Sequence, residues 1–159
     1  VLASNWRVSG ILKAQSGTAF TVVSGTDRML NGVNTAGQYV NKVSDKVYGN
    51  QCKDGLTGTN PTCLWLNSSA FAVPDPGTLG TLGPNTVFGP GLWNVDTGLT
   101  RVFNLNKETQ KLEFRAEATN VLNHANFNNP TGNLSSAQFG RIQSAQPGRV
   151  MQFALKYLF

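Results

Sequence analysis

Arg149-Val150-Met151-Gln152-Phe153-Ala154-Leu155-Lys156-Tyr157-Leu158-Phe159 is the stretch that decides the fold. Met151, Phe153, Leu155, Tyr157 and Phe159 fall on one parity, and Val150, Gln152, Ala154, Lys156 and Leu158 on the other. Side chains alternate in this way on a β-strand, here with one wholly apolar face and one mixed face. A helix would scatter the five large apolar residues around its circumference. A tilted strand needs roughly 9–11 residues to cross a bilayer, whereas a half-buried strand of a soluble sandwich is usually about half as long. The stretch is therefore expected to be the closing strand of a transmembrane β-barrel.

Composition agrees with that expectation. Of 159 residues, 40% are hydrophobic and 13% charged, and no apolar run approaches the ~20 residues of a membrane helix. Seventeen glycines and many Asn, Thr and Ser favour strands, turns and loops over helices. The net charge of +5 is spread along the chain, without the Lys/Arg cluster and interleaved aromatics of a nucleic-acid binder. No nucleic-acid partner is expected. Val1 stands where a start methionine or signal peptide would, so a truncated or processed chain is expected.

Four further alternating runs precede the last one. They cover residues 5–15, 19–23, 93–103 and 111–122, and the final run covers 149–159. Ser16-Gly17-Thr18 reads as a tight turn joining the first two runs into a hairpin, with Gly17 supplying a positive φ. In the fourth run Leu112, Phe114, Ala116 and Ala118 oppose Lys111, Glu113, Arg115, Glu117 and Thr119. A charged face behind an apolar one suits a wall between lipid and a watery lumen. Residues 24–92 and 123–148 lack periodicity and read as two long loops. Within the first of them, Phe71-Ala72-Val73 and Val87-Phe88 are candidate apolar anchors. Connections that alternate short and long match a barrel with short periplasmic turns and long external loops. The expected fold class is all-β, an antiparallel up-and-down meander forming the last five strands of a transmembrane barrel. One segment spans residues 1–159.

Candidate sites are sparse. Cys52 and Cys63, with ten residues between them, suit a local disulfide in an oxidising compartment, ahead of reduced thiols and then a metal site. Metal binding would need further ligands, and His124 is the only histidine. His124 is a weak candidate for general acid–base catalysis, with Asp96 or Asp75 as conceivable partners, although a lone His in an Asn-rich loop is more often a polar loop residue. No Gly-x-Ser-x-Gly elbow accompanies it. Glu113 and Glu117 flank Arg115 on one face and read as a charge-compensated ladder rather than a catalytic pair. Asp27, Arg28, Lys53 and Asp54 are ligand-contact candidates by loop location only, as are Asp45 and Lys46. No phosphate loop, Rossmann glycine pattern or zinc spacing occurs, so no cofactor or metal is expected.

Several stretches carry a resemblance. Arg115-Ala116-Glu117-Ala118-Thr119-Asn120-Val121-Leu122-Asn123-His124-Ala125-Asn126-Phe127 resembles the penultimate strand and following loop of TonB-dependent outer-membrane receptors, in the group with an N-terminal carboxypeptidase-regulatory-like domain. Phe139-Gly140-Arg141-Ile142 and Pro147-Gly148-Arg149 through Phe159 resemble the end of that group. Gly10-Ile11-Leu12, Gln15-Ser16-Gly17-Thr18-Ala19-Phe20-Thr21-Val22, Trp65-Leu66-Asn67 before Ala70-Phe71, and Gly89-Pro90-Gly91 before Asn94-Val95-Asp96 resemble it further upstream. Thr119 departs from a frequent aromatic and Ala19 from a common Pro. The resemblance implies a barrel of about 22 strands in the bacterial outer membrane, with Phe159 as the residue read by the barrel-assembly machinery. It implies uptake of a bulky nutrient, such as a metal chelate or glycan fragment. The implied partners are outer-membrane lipid, the remainder of the barrel and its plug, and a periplasmic energy-coupling protein engaged through an N-terminal part absent here. Two other readings stay open, a soluble β-rich fragment with weak hydrolase activity through His124 and a self-assembling β-structure. Enzymatic activity is the less favoured reading.

Overall fold

A computed structural model describes residues 4–33, 37–50, 64–105 and 110–159. In chain order the strands are β1 (Trp6–Gln15), β2 (Ala19–Phe20), β3 (Asn41–Lys42), β4 (Phe71–Ala72), β5 (Val87–Phe88), β6 (Leu92–Asn104), β7 (Lys111–Thr119) and β8 (Val150–Leu158). A 3-10 turn, Ser68–Ala70, precedes β4, and Asn67 caps it by accepting the Ser69 N–H. The described residues divide into two compact units. One comprises residues 1–15, 92–126 and 146–159, and the other comprises residues 16–91 and 127–145.

The first unit is an antiparallel four-stranded sheet in the order β1-β6-β7-β8. The chain is all-β and its long strands form the expected meander, although these four leave the barrel open. Register sorts the side chains onto two faces. Trp6, Val8, Gly10, Leu12 and Ala14 of β1 align with Arg101, Leu99, Thr97, Val95 and Trp93 of β6. Leu112, Phe114, Ala116 and Ala118 of β7 continue that face to Tyr157, Leu155, Phe153 and Met151 of β8. Val8, Leu12, Phe153 and Leu155 are 75, 70, 63 and 68% exposed, so none of the described residues covers them. An exposed apolar face continuous over four strands is what a lipid-facing wall presents.

The expected hairpin between residues 5–15 and 19–23 does not form. β1 pairs with β6 across the long connection instead, and Ala19 and Phe20 pair with Phe88 and Val87 in a separate two-stranded sheet. Gly17 does not adopt a positive φ. A Cβ there would stand 1.8 Å from the Gly89 carbonyl oxygen, so glycine is required by close backbone approach. The alternation of connection lengths survives this correction. Residues 16–91 and 120–149 are the long connections, and β6 and β7 are joined by a short one, which Leu105 closes by donating its N–H to the Gln110 carbonyl at 3.0 Å.

The second unit is built from the long connections and has its own core: Val22, Val40, Leu66, Ala70, Phe71, Leu82, Val87 and Phe139. Of the candidate anchors Phe71-Ala72-Val73 and Val87-Phe88, Phe71 and Val87 are buried at 6 and 2% exposure, whereas Val73 and Phe88 are exposed. Phe71 and Phe139 meet edge to face at 5.5 Å. The Trp65 and Leu66 N–H groups both donate to the Gly140 carbonyl, at 2.8 and 3.2 Å. Val23 donates to Gly132 at 2.9 Å and accepts from Leu134 at 2.8 Å, threading residues 127–145 into the larger segment. Trp65-Leu66-Asn67 and Phe139-Gly140-Arg141 thus meet in one core.

Candidate functional site

The chemically distinctive surface is the second face of the sheet. Arg7 and Lys13 on β1, Asp96 on β6, Lys111, Glu113, Arg115 and Glu117 on β7 and Lys156 on β8 all lie there. Charges at this density opposite an apolar face require water on one side and lipid on the other. The Arg115 guanidinium lies 3.0 Å from Glu113 Oε1 and 3.8 Å from Glu117 Oε1, forming the compensated ladder expected from their spacing. Arg115 is about half exposed, so the ladder contributes more to local order than to stability. Near the short β6–β7 connection an open hollow of about 520 Å³ is lined by Arg7, Thr100, Asn104, Lys111, Glu113 and Arg115, among others. A second hollow of about 280 Å³ lies mid-sheet, lined by Gly10, Asp96, Gly98 and Glu117, among others.

The outer membrane beta barrel domain family matches residues 1–152. The chain belongs to that family. Its place is the bacterial outer membrane. No curated protein and no solved structure matches it.

In this barrel domain the segment Asn120 to Asn126 ties three strands together at the end bearing the long connections. Asn120 is buried, at 4% exposure, with φ of 50°. Its Nδ2 donates to the His124 carbonyl at 2.8 Å while its Oδ1 accepts the His124 N–H at 3.0 Å. One amide side chain thus satisfies both backbone groups of His124, and asparagine is the non-glycine residue best suited to that left-handed conformation. Its own N–H donates to Asp96 Oδ1 at 2.8 Å, and the next N–H, of Val121, donates to the Val95 carbonyl at 2.8 Å. Asn123, at φ 53°, accepts the Arg149 N–H at 3.0 Å and so fixes the entry to β8. Buried Asn126 accepts the Trp93 N–H at 2.9 Å and the Gln146 N–H at 2.7 Å.

His124 belongs to this knot. Its ring packs on Trp93 at 4.2 Å between centroids, and its Nδ1 lies 3.2 Å from Asn126 Oδ1. Asp96, the first conceivable partner, spends Oδ1 on the Asn120 N–H and on Asn94 Nδ2 at 3.5 Å. Asp75 lies in the other unit, where its carbonyl accepts the Thr78 hydroxyl. Among the described residues His124 has no hydroxyl or carboxylate partner, and its geometry is that of a packed rim residue.

The loop candidates separate. Asp27 Oδ1 accepts the Asn31 N–H at 3.0 Å and Gln38 Nε2 at 3.2 Å, and Oδ2 accepts the Gly32 N–H at 2.7 Å. Gln38 Oε1 in turn accepts the N–H groups of Arg28 and Met29, at 2.8 and 3.0 Å. Asp27 therefore holds a turn closed. Arg28 Nε is buried without a hydrogen-bond partner among the described residues. Asp45 pairs with Lys42 at 2.6 Å, and the hydrogen bond and charge of Lys42 hold its carboxyl below the usual range. Lys46 contributes its carbonyl, which accepts Asn67 Nδ2 at 3.1 Å. Cys52, Cys63, Lys53 and Asp54 lie outside the described residues. The described residues hold no cluster of three metal-ligating side chains.

Arg101 stands on the apolar face, opposite Trp6 and Phe114. The signal in the sequence is its parity with Trp93, Val95, Thr97 and Leu99, which puts a cation in line with the lipid-facing side chains.

Proposed function

We propose that this barrel segment is part of a TonB-dependent receptor that imports a bulky nutrient, such as a metal chelate or a glycan fragment. A plug would occupy the lumen. Energy would come from a periplasmic coupling protein engaged through an N-terminal part outside this chain. The observation that carries the reading is that residues of the two long connections form a compact body with its own apolar core. A simple pore needs short or flexible loops, whereas a receptor needs a preformed surface on which to select a large ligand. The charged face of the sheet supports the same reading, since a wall of alternating carboxylates and guanidinium groups keeps a wide lumen hydrated. The Arg115–Phe127 and Arg149–Phe159 motifs support it by resemblance. Arg28 is the loop cation this reading assigns to ligand contact, by its place in the first long connection.

The test is uptake by cells carrying the intact gene, with labelled ferric chelates and labelled oligosaccharides offered separately. Uptake of one class that stops when the proton-motive force is collapsed is the expected result. Entry of both classes at a rate indifferent to that force would make the barrel a passive channel and refute the proposal.

A further inference from the structure

Arg101 is a cation on a lipid-facing surface. No carboxylate shares its face on the four long strands, and the nearest acids of β7, Glu113 and Glu117, point to the other side. Its guanidinium carbon lies 4.8 Å from the Trp6 ring centroid and 4.5 Å from that of Phe103, a cation–π arrangement with two rings. Arg101 Nε is buried and has no hydrogen-bond partner among the described residues.

Depth and direction identify what the head group meets. Trp93 and Phe103 lie ten residues apart on one face of β6. At ~3.4 Å per residue and a tilt of ~40° that spacing is about 26 Å along the membrane normal, close to the ~25 Å apolar band between the aromatic girdles of such barrels. Phe103 and its row-mate Tyr157 thus mark the girdle on the side of the short β6–β7 connection, the periplasmic side. Arg101 begins one row inside that girdle. Its guanidinium lies over Phe103, two residues nearer the periplasm on the same strand, so the side chain has turned toward the inner-leaflet head groups.

We propose that Arg101, clasped by Trp6 and Phe103, binds the phosphate of a phospholipid in the periplasmic leaflet. Phosphate is the anion found at that depth, and a guanidinium presents a planar fork of donors that matches two of its oxygens. Trp6 and Phe103 hold the fork in place and cover the adjoining glycerol and acyl carbons. The site anchors the barrel vertically in its membrane. It rests on the outer-membrane placement alone, so it stands or falls separately from the import reading.

Native mass spectrometry of the detergent-purified protein tests this, comparing retained phosphatidylglycerol with diacylglycerol of the same acyl chains. The wild type is expected to retain the phosphate-bearing lipid about tenfold better, the equivalent of one good charge-assisted contact. Arg101→Gln should bring the two lipids level, and Arg101→Lys, which keeps the charge but loses the fork, should lower the ratio about threefold. Arg7→Gln, on the opposite face, should leave the ratio intact. Heat-modifiable migration on a gel identifies folded protein; if Arg101→Gln fails that check, the Lys variant decides. An unchanged ratio in a folded Arg101 variant, an equal loss in Arg7→Gln, or displacement of the lipid by millimolar inorganic phosphate would each overturn the proposal.

Discussion

Replacing Asn120 dissects the rim knot. Asn120→Ala removes two hydrogen bonds, to the His124 carbonyl and from the His124 N–H. Each such bond is worth about 1 kcal/mol net. Alanine must also hold the left-handed conformation at φ 50°, at a further cost of about 1 kcal/mol. The sum is about 3 kcal/mol, or roughly a hundredfold in a local opening equilibrium. Asn120→Gly loses the same two hydrogen bonds without the steric penalty and should cost about 2 kcal/mol. The readout is hydrogen exchange at two amides that keep their own acceptors in both variants. These are Val121, bonded to the Val95 carbonyl, and Gln146, bonded to the Asn126 carbonyl. Both should exchange faster, and Ala should exceed Gly by several-fold. Equal effects of Ala and Gly would refute the φ argument. Unchanged exchange in both would refute the view that this side chain holds the knot.

Four other perturbations address the remaining structure. On β8, Phe153→Arg places a charge on the lipid side and should lower unfolding stability in bilayers by about 2–4 kcal/mol, whereas Gln152→Arg, on the charged face, should stay within about 1 kcal/mol. In the second unit Gly140→Ala combines φ 72° with a Cβ 2.6 Å from the Leu66 carbonyl oxygen and should cost about 3 kcal/mol, while Gly77→Ala, at φ 80° in open space, should cost about 1, both read by limited proteolysis of the loop body. Because Lys42 lowers the Asp45 pKa, the pair contributes above the ordinary carboxylate range and is lost as pH falls through the lowered value; an NMR titration should show the Asp45 pKa rising in Lys42→Met. His124→Ala should cost about 1 kcal/mol through lost packing on Trp93 and leave any ester hydrolysis at background, and a His124-dependent turnover would revive the enzymatic reading.

How far the sequence reveals the structure depends on which interactions hold each part. The β6, β7 and β8 runs were legible because a lipid wall enforces a period of two at every residue, and their observed ends differ from expectation by no more than three residues. Ser16-Gly17-Thr18 misled because glycine signals two different needs. A hairpin turn and a close backbone approach demand the same residue, and only the position of Gly89 distinguishes them. The second unit was illegible for a different reason. Leu82 and Phe139 have no apolar immediate neighbour, Val22 and Leu66 sit in short apolar runs beside Val23 and Trp65, and all of them meet through two-residue strands and single bridges between distant segments. No local period announces such a core. The Arg115–Phe127 stretch stands out as a pattern, but the role of its Asn120–Asn126 part follows only from the positive φ of Asn120 and Asn123.

The two units draw their stability from different solvents. Every residue of the apolar core lies in the connections, whereas Ala118 is the one buried hydrophobic residue among the described residues of the sheet. The loop body is thus held by the same burial that folds a water-soluble domain, about 1.5–3 kcal/mol for each large side chain. The sheet presents its hydrophobic side chains outward and gains from them only when lipid replaces water. Detergent or lipid composition should therefore shift the unfolding of the strands and leave the loop body nearly unaffected. Core substitutions such as Leu66→Ala should do the reverse, at about 2–5 kcal/mol. Probes on Trp93 in the sheet and Trp65 in the loop body can follow the two transitions separately. If both moved together under every condition, the long connections would have no stability of their own, and the preformed external surface on which the receptor reading depends would be lost with it.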